Sequence, residues 1–345
     1  MEKNLLINGK LVYPNKLKIN KKFNIGLIGS GQMALEYIKV IESFNHKLVA
    51  IVSTSNSFSS KKISKKYKIS LFKSPYLANK KNKNIDAWIV CPHWKNLKKY
   101  LYFFLNTEKP VLIEKSIALS SKELKKISHD KIKKSKIMIA YNRIYYDFLP
   151  QLVSNIKRNN LLYIEANIYD TFQKIVSSKG NEIKPHLSRY ISSHWVALIL
   201  KIFDLSNIKI LKINKEVLQK LKQGNLVKLK FLLKQKNRKI FLNYTHFPDA
   251  PKNHSIKFYF ENSLIELSPI ETLTTFYKLK FVKNKKINSY KALKASVDTN
   301  KKFKPGLRFQ YYDFINHFLL KKKSYLKTDL LDLTKIYKIC ELLQK

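Results

Sequence analysis

The feature that most constrains the fold is a cluster of glycines near the amino end of a glycine-poor chain. Only 7 of the 345 residues are glycine, and three of them are Gly26, Gly29 and Gly31. They begin inside an apolar run, Asn24–Ile28, that is typical of a buried strand, and they end where a helical pattern, Gln32–Phe44, begins. Glycine is favoured where the backbone turns sharply or where another group approaches the bare main chain. The cluster therefore predicts a strand, a tight turn and a helix, in that order.

The spacing of the small residues in this turn indicates what it binds. Gly29, Gly31 and Ala34 occupy the three small positions of the pattern G-x-G-x-x-G/A. The first permits the turn, the second lets a pyrophosphate approach the backbone, and the third lets helix and strand pack closely. The N–H groups at the start of the helix, around Gln32 and Met33, supply donors and the positive end of the helix dipole. We predict a dinucleotide site here; a plain structural turn is the alternative.

The residues that follow alternate short apolar runs with amphipathic segments. Continuous apolar runs are typical of strands that are covered on both faces. Six strands are predicted, at Asn24–Ile28, Lys47–Val52, Ser70–Phe72, Ala87–Val90, Val111–Glu114 and Lys136–Tyr141. Helices are predicted between them, at Gln32–Phe44, Ser57–Lys66, Lys95–Leu105 and Ser120–Ile132. Together these elements predict an α/β fold whose first domain, residues 21–146, is a doubly wound parallel sheet of the Rossmann type. Residues 1–20 are expected to form an extension, with a hairpin at Asn8-Gly9.

Beyond residue 146 the pattern changes, because strand-like runs follow one another without intervening helices. Such a pattern favours an antiparallel sheet. We therefore predict a second domain, residues 147–345, of the α+β class with an open, mainly antiparallel sheet and two helices at its end. One helix before the sheet, Leu187–Phe203, carries His194 next to an apolar stripe.

The formal net charge of +45 comes from 68 Lys plus Arg against 23 Asp plus Glu. The arginines among them are only Arg143, Arg158, Arg189, Arg238 and Arg308. Lysine accumulates with Asn and Ile under A/T-rich codon usage, and nucleic-acid recognition favours arginine instead. The composition therefore argues against a nucleic-acid partner and favours a solvated basic surface. Binding of nucleic acid through that surface stays an alternative.

Cysteine, histidine and hydropathy patterns exclude several other classes. The two cysteines, Cys91 and Cys340, are too few and too far apart for a disulfide framework. The histidines show no metal-ligand spacing, so no metal is predicted. The longest apolar helical stretch, 195–203, contains Lys201 and is too short to span a membrane. Because Met1–Lys10 lacks the apolar core of a signal peptide, we expect a cytoplasmic protein without membrane partners.

The end of the second strand bears on the choice of cofactor. Ser53 and Thr54 follow Lys47–Val52, where a carboxylate would bind a free ribose 2′-hydroxyl. Hydroxyls there, with Lys61 and Lys62 nearby in sequence, can accept a 2′-phosphate. A helix-capping role for these hydroxyls is the alternative. The pattern favours NADP and leaves NAD open.

Several segments together carry a family resemblance. They are Gly29-Ser-Gly-Gln-Met-Ala34, Asp86-Ala-Trp-Ile-Val-Cys-Pro92, Lys109-Pro-Val-Leu-Ile-Glu-Lys115, Tyr141-Asn-Arg143 and the helix Ser193–Phe203. With these segments the chain resembles the Gfo/Idh/MocA oxidoreductases, relatives of glucose–fructose oxidoreductase and inositol dehydrogenase, over nearly its whole length. The resemblance implies hydride transfer between a nicotinamide and the hydroxyl- or carbonyl-bearing carbon of a sugar, polyol or nucleotide-sugar. It also implies a dimer or tetramer formed through the antiparallel sheet.

The resemblance also implies roles for particular residues. Lys115 would contact substrate and cofactor, His194 would take or give the hydroxyl proton, and Arg143 would bind a substrate anion or support the cleft. A buried structural ion pair is the alternative for Arg143. Further residues are implied on the cofactor side: Cys91, Pro92, His93, Asn96 and Glu114.

The positions of Lys115 and His194 in the predicted fold support the roles that the resemblance implies for them. Lys115 follows the carboxyl end of a parallel strand, where open α/β sheets bind ligands, and an ammonium there can polarise a carbonyl oxygen. A solvated lysine is the alternative. Tyr190 and His194 are four residues apart on a predicted helix, so their side chains are expected side by side, with Tyr190 as a further catalytic and substrate-binding candidate. A structural histidine is the alternative.

Three positions depart from the family pattern. Ser116 replaces the proline that follows Glu-Lys, and Tyr190 and Ala197 stand where many relatives have aspartate. Lost carboxylates remove groups that orient an imidazolium or stabilise its charge. A catalytically silent dinucleotide-binding module, acting as a sensor or scaffold, is therefore the alternative to an enzyme.

Overall fold

The computed structural model describes residues 6–7, 10–11, 17–53, 57–115, 117, 119–127, 129–222, 224–283, 288–298, 302–324 and 326–344. The chain divides into two compact units, and each is described by itself. The first comprises Met1–Leu5, Pro14–Tyr145 and Lys301–Lys338, and the second comprises Leu6–Tyr13, Tyr146–Asn300 and Ile339–Lys345. The domain bounds 1–20, 21–146 and 147–345 stay a prediction.

Two short strands, β1 (Leu6–Ile7) and β2 (Lys10–Leu11), pair antiparallel at the start of the chain. The expected turn at Asn8-Gly9 lies outside the described residues. The next elements, all in the first unit, are β3 (Asn24–Ile28), α1 (Gln32–Ser43), β4 (Lys47–Val52), α2 (Phe58–Tyr67), β5 (Ser70–Phe72), α3 (Pro75–Lys81), β6 (Ala87–Val90), α4 (Trp94–Phe104), β7 (Val111–Glu114), α5 (Ser121–Lys125), α6 (His129–Lys134) and β8 (Ile137–Ala140).

The six strands β3 to β8 form one parallel sheet in the order β5-β4-β3-β6-β7-β8. The chain runs outward from β3 in both directions, which is the strand order of the Rossmann fold. Every residue of β6 and β8 is buried, as are the last four of β3, so the continuous apolar runs are indeed strands covered on both faces. The predicted parallel sheet is confirmed.

Two helical details differ from the sequence prediction. Helix α3 was not predicted, because it is too short to show a helical pattern. It begins at Pro75, and the Ser74 hydroxyl caps it by accepting a hydrogen bond from Leu77 N–H at 3.2 Å. The helix expected over Ser120–Ile132 is two short helices, α5 and α6. Helix α5 begins with a complete capping box between Ser120 and Glu123.

The elements that follow belong mainly to the second unit. They are α7 (Leu149–Arg158), β9 (Leu161–Asp170), α8 (Phe172–Lys179), α9 (Ser193–Leu205), β10 (Ile208–Leu221), β11 (Gly224–Gln235), β12 (Arg238–Pro248), β13 (Ser255–Phe260), β14 (Leu264–Leu267), β15 (Thr272–Lys283), β16 (Asn288–Asp298), α10 (Leu307–Phe318) and α11 (Leu330–Gln344). Of the last two helices, α10 lies in the first unit, and α11 begins in the first unit and ends in the second.

The eight strands β9 to β16 form a second sheet in the order β10-β11-β12-β9-β13-β14-β15-β16. Only the β12–β9 pair is parallel, and the other pairs are antiparallel. Along β9 and β12 buried residues alternate with partly or fully exposed ones, as expected for a sheet that has one packed face. The predicted fold class, a parallel α/β sheet followed by a mainly antiparallel one, is confirmed.

Three elements of this region were not predicted as they occur. Strand β16 was not predicted, and it has few large apolar residues. Helix α8, a short amphipathic helix, was not predicted either. The helix expected from Leu187 begins instead with a π-helical turn, Ser188–Ser192, before α9 continues. Among the described residues, no helix is long and apolar enough to cross a membrane.

Candidate functional site

The predicted site residues of the first unit lie at one edge of its sheet. Gly29 follows β3, Ser53 follows β4, Cys91 follows β6, Lys115 follows β7 and Arg143 lies just beyond β8. Because all these strands are parallel neighbours, their carboxyl ends meet at the same edge. Successive strands are added to one side of β3 as far as β5 and to its other side from β6 onwards, so the strand order reverses between β3 and β6. Open α/β sheets bind ligands in the crevice at such a point.

The turn after β3 depends on the backbone of Gly29. Its φ is +106°, a conformation that residues with a side chain rarely adopt, and a Cβ added there would collide with the Cys91 carbonyl. The Gly29 N–H donates to the Val52 carbonyl at 3.0 Å, and the Cys91 N–H donates to the Ile28 carbonyl at 2.8 Å. The turn is therefore held between the ends of β4 and β6.

Gly31 shows a different requirement. Its backbone is extended (φ −80°, ψ −171°), and a Cβ added there would meet no atom within 4 Å. It is the N-cap of the 12-residue helix α1, and a glycine has no side chain that could accept from the first N–H groups of that helix. The chain's own packing does not explain a glycine at this position. Open space above bare backbone, next to uncapped N–H donors, fits a pyrophosphate group. Gln32 and Met33 form the first turn of this helix.

The hydroxyl cluster after β4 is only partly described. Ser53 is buried, and its N–H donates to the Phe72 carbonyl at 3.0 Å, whereas Thr54 lies outside the described residues. Ser57 caps α2 by accepting from Ser60 N–H at 3.3 Å, and its hydroxyl lies 3.1 Å from that of Ser30 in the glycine turn. Helix capping therefore accounts for Ser57.

The residues after β6, Cys91 to His93, lie next to the glycine turn. Cys91 is buried, and burial, together with the nearby Glu114 carboxylate, raises the pKa of its thiol well above the usual range. Pro92 is half-buried and His93 is exposed at the start of α4, where the Asn96 N–H donates to the His93 carbonyl at 2.9 Å. The thiol is therefore protonated, and this strand end offers backbone and imidazole surface.

The end of β7 brings a half-buried carboxylate, that of Glu114, next to Lys115. Tyr37 on α1 donates its hydroxyl proton to the Glu114 carboxylate at 3.1 Å. Burial raises the pKa of Glu114, although the positive charges of Lys115 and Lys304 act in the opposite direction. Burial and the same carboxylate raise the pKa of Tyr37 well above its usual range. Ser116 lies outside the described residues.

Arg143 lies in a short 3-10 turn, Asn142–Tyr145, directly after β8. It is half-buried, whereas its neighbours Asn142 and Ile144 are buried. The structure therefore places it at the edge predicted from the sequence, next to a tightly packed turn.

Tyr190 and His194 belong to the second unit. Tyr190 is in the π-helical turn, His194 is in the first turn of α9, and both are half-buried. A π-helical turn contains an additional residue compared with an α-helical one. The spacing argument that puts Tyr190 beside His194 assumes an uninterrupted α-helix, so their contact stays a prediction.

A buried polar cluster flanks His194 along the chain. The Asp170 carboxylate at the end of β9 accepts from the Ser192 hydroxyl at 2.5 Å and from the Trp195 indole N–H at 2.9 Å. His246 on β12 contacts the same carboxylate through Nε2 at 3.1 Å. Asp170 and His246 are both 0% exposed. The cluster therefore fixes the backbone on both sides of His194.

Electrostatics in this cluster favour an ionised carboxylate. Burial alone would raise the pKa of Asp170, but the hydrogen bond and charge of His246, with the bonds from Ser192 and Trp195, outweigh burial and lower it. Neither Asp170 nor His246 was singled out by its sequence pattern as part of the site. Among the described residues, no group of three or more His, Cys, Asp or Glu side chains is placed to hold a metal ion.

Comparison with known proteins agrees with this geometry. A parallel sheet in Rossmann order, with a glycine turn where the strand order reverses, is typical of dinucleotide-binding proteins. The model of an oxidoreductase family with an NAD-binding Rossmann fold, Gfo/Idh/MocA, matches residues 23–142. Over this segment, which contains the parallel sheet of the first unit, the chain is similar to the Gfo/Idh/MocA oxidoreductases. Among curated proteins, no significant match is found.

Solved structures share the fold of both units at low sequence identity. UDP-N-acetylglucosamine 3-dehydrogenase from Acidithiobacillus ferrooxidans has a TM-score of 0.67 and 12% identity, with 94% of this chain and 97% of that chain covered. Myo-inositol dehydrogenase from Lactobacillus casei, in complex with NAD(H) and myo-inositol, has a TM-score of 0.65 and 13% identity, with 93% of each chain covered. A super-repressor mutant of Gal80p from Saccharomyces cerevisiae has a TM-score of 0.68 and 13% identity, with 93% and 94% covered.

Proposed function

We propose that this chain is an NAD(P)-dependent oxidoreductase that acts on the hydroxyl- or carbonyl-bearing carbon of a sugar, polyol or nucleotide-sugar. The observation that carries the proposal is the open space above the Gly31 backbone at the start of α1, with Glu114 and Lys115 at the same sheet edge. The match of residues 23–142 to a family with an NAD-binding Rossmann fold supports dinucleotide binding. The neighbouring structures named for action on a nucleotide-sugar and an inositol support the substrate class.

Each proposed catalytic side chain has a defined task in this reaction. When bound, the nicotinamide accepts or gives the hydride. The Lys115 ammonium lies after β7 and donates to the reacting oxygen, which stabilises the negative charge that develops there. The His194 imidazole takes the hydroxyl proton in oxidation and returns it in reduction. Tyr190 binds the substrate and relays that proton, and Arg143 binds an anionic part of the substrate.

The cofactor is proposed to be NADP, with NAD as the second possibility. Hydroxyl groups and lysines, rather than a carboxylate, follow β4 in the sequence. A 2′-phosphate is accepted in such a setting, whereas a 2′-hydroxyl is usually bound by an acidic residue. Fluorescence titration with NADPH and NADH, together with mass spectrometry of any co-purified dinucleotide, measures the preference. A clear preference for NADH contradicts this part of the proposal.

Two substitutions test the catalytic assignment. Lys115→Ala and His194→Ala should abolish turnover of a substrate found in a panel of sugars, polyols and nucleotide-sugars. His194→Ala should keep a dinucleotide affinity close to that of the wild type. Lys99→Ala on α4 and His129→Ala on α6 are matched controls, because both residues are exposed and lie outside the predicted site. Full activity in either of the first two variants contradicts the assigned roles.

A catalytically silent dinucleotide-binding module is the second candidate. Ser116, Tyr190 and Ala197 replace residues that are frequent in the family pattern, and the fold is shared with Gal80p, whose solved variant is described as a super-repressor. Tight dinucleotide binding without turnover of any substrate in the panel favours this candidate. Turnover that depends on Lys115 excludes it.

Assembly through the second sheet is proposed as well. Large apolar side chains are exposed along this sheet: Leu162, Leu211, Val217, Leu218, Phe241, Tyr277 and Val297. A second copy of the chain would remove them from water, which favours a dimer or tetramer. Light scattering should give a multiple of 40.7 kDa, and Phe241→Glu should shift the particle towards the monomer. A monomeric wild type contradicts the proposal. The cytoplasmic location stays a prediction.

A further inference from the structure

A segment far along the chain returns to the first unit and is fixed against the turn after β8. Asn142 Nδ2 donates to the Pro305 carbonyl at 2.8 Å. Gly306 has a φ of +76°, and a Cβ there would collide with the Asn142 carbonyl oxygen. Only glycine permits this approach, so one of the few glycines of the chain is used to hold the segment in place.

The helix that follows strengthens the same attachment. With its amide oriented to satisfy both groups, the Gln310 oxygen accepts from Tyr141 N–H at 2.8 Å and from Asn142 N–H at 3.2 Å. The Gln310 nitrogen then lies 3.4 Å from the Tyr37 hydroxyl, which itself donates to Glu114. Gln310 is fully buried. A continuous set of hydrogen bonds therefore connects the segment to the carboxyl end of β7.

Lys304 is the charged side chain that this attachment places at the sheet edge. Its ammonium lies 3.0 Å from the Met33 sulfur, in the first turn of α1, and its charge acts on Glu114 at the end of β7. The ammonium therefore lies at the start of α1 and close enough to Glu114 for its charge to affect that carboxylate. Within the described part of the chain, the only hydrogen-bond partner of this ammonium is the Met33 thioether, which is a weak acceptor.

We infer that Lys304 is a further dinucleotide-binding residue, whose ammonium contacts the diphosphate of the cofactor above the start of α1. The inference rests on the proposed function, since it needs a dinucleotide bound at the glycine turn, above Gly31. A helix start contributes the equivalent of only about half a positive charge. A diphosphate carries one negative charge on each phosphate, so an exposed ammonium beside the helix supplies charge that the backbone cannot. An ammonium also forms strong charge-assisted hydrogen bonds to phosphate oxygens.

Binding measurements on the full chain test this without any knowledge of the substrate. Dissociation constants of NADPH, NADH and ADP-ribose are measured by fluorescence and calorimetry for the wild type, Lys304→Met and Lys304→Arg. Lys47→Met is the matched control, because exposed Lys47 lies at the opposite, amino end of β4 and its replacement removes the same charge. Lys304→Met should weaken all three ligands about tenfold, since a charge-assisted contact contributes that much. Lys304→Arg should stay within about threefold of the wild type.

The outcomes separate this inference from the proposed function. If the wild type binds none of the three ligands, the proposed function fails and the inference fails with it. If the wild type binds, but Lys304→Met binds as tightly as Lys47→Met, only the inference fails. A loss for NADPH and NADH without a loss for ADP-ribose overturns the diphosphate contact, because ADP-ribose keeps both phosphates. Greater salt sensitivity of binding in the wild type than in Lys304→Met supports the contact.

Discussion

Gly29 and Gly31 are two residues apart, yet the structure predicts opposite consequences for replacing each with alanine. Gly29→Ala places a side chain at φ +106° and against the Cys91 carbonyl. The backbone conformation alone costs about 1–3 kcal/mol, and the collision with the Cys91 carbonyl adds to it. Gly31→Ala leaves an extended backbone, and its methyl group meets nothing within 4 Å, so the free energy of unfolding should change by less than about 0.5 kcal/mol.

Binding should show the reverse selectivity. The Gly31 methyl group would occupy the space where a pyrophosphate approaches the N–H groups of α1. Losing one hydrogen bond between an N–H and a charged phosphate costs about 1.5–3 kcal/mol, which weakens binding about 10- to 150-fold. Gly31→Ala is therefore expected to be a stable protein with poor affinity for the dinucleotide.

Urea unfolding and a fluorescence titration with NADPH and NADH, applied to the wild type and both variants, measure the two effects. Unchanged affinity in a stable Gly31→Ala protein would refute the use of that open space by the cofactor. Unchanged stability in Gly29→Ala would refute the strained turn.

Three further predictions concern stability. Asp170→Asn should lower the free energy of unfolding by about 2–4 kcal/mol in urea titrations, because it removes the charge that three buried donors stabilise; a loss below 1 kcal/mol, roughly the value of one neutral hydrogen bond, contradicts this. Burial lowers the pKa of His46 from 6.5 to about 4, so its unfolded form binds a proton in that interval and stability falls as the pH drops from 6.5 to 4. The loss is about 2 kcal/mol at pH 5, and His46→Gln should show a smaller difference between pH 7 and pH 5. The hydrogen bond from the Ser120 backbone N–H is the main cause that lowers the pKa of Glu123 to about 2. The ionised carboxylate therefore stabilises the fold above pH 4.5, and this contribution is lost as the pH falls towards 2. A Glu123→Gln protein with the same acid sensitivity as the wild type argues against it.

The sequence predicts the first sheet well because local pattern and tertiary setting agree there. Strands such as Ala87–Val90 are apolar on both faces, so burial alone identifies them, and the predicted bounds match the structure. Strand β16, Asn288–Asp298, was missed because pairing with β15, rather than its own composition, makes it a strand. The π-helical turn Ser188–Ser192 was missed because its hydrogen bonding has no residue signature.

The candidate site divides in the same way. Gly29 and Gly31 are recognisable because their spacing expresses a local backbone requirement. The Tyr37–Glu114–Gln310 contacts join residues that are 77 and 273 positions apart, and no short-range pattern reports such distances. The available signal for Lys304 was its neighbour Gly306, a glycine in a chain that has only 7.

The placement of the two cysteines has a practical consequence. Cys91 lies in the first unit and Cys340 in the second, and they are 7% and 0% exposed. A buried thiol is alkylated only when the surrounding structure opens, so the alkylation rate measures the free energy of that local opening. The chain thus carries one built-in reporter for each unit. Mass spectrometry of the two modified peptides can follow the opening of both units in a single sample, without any engineered label.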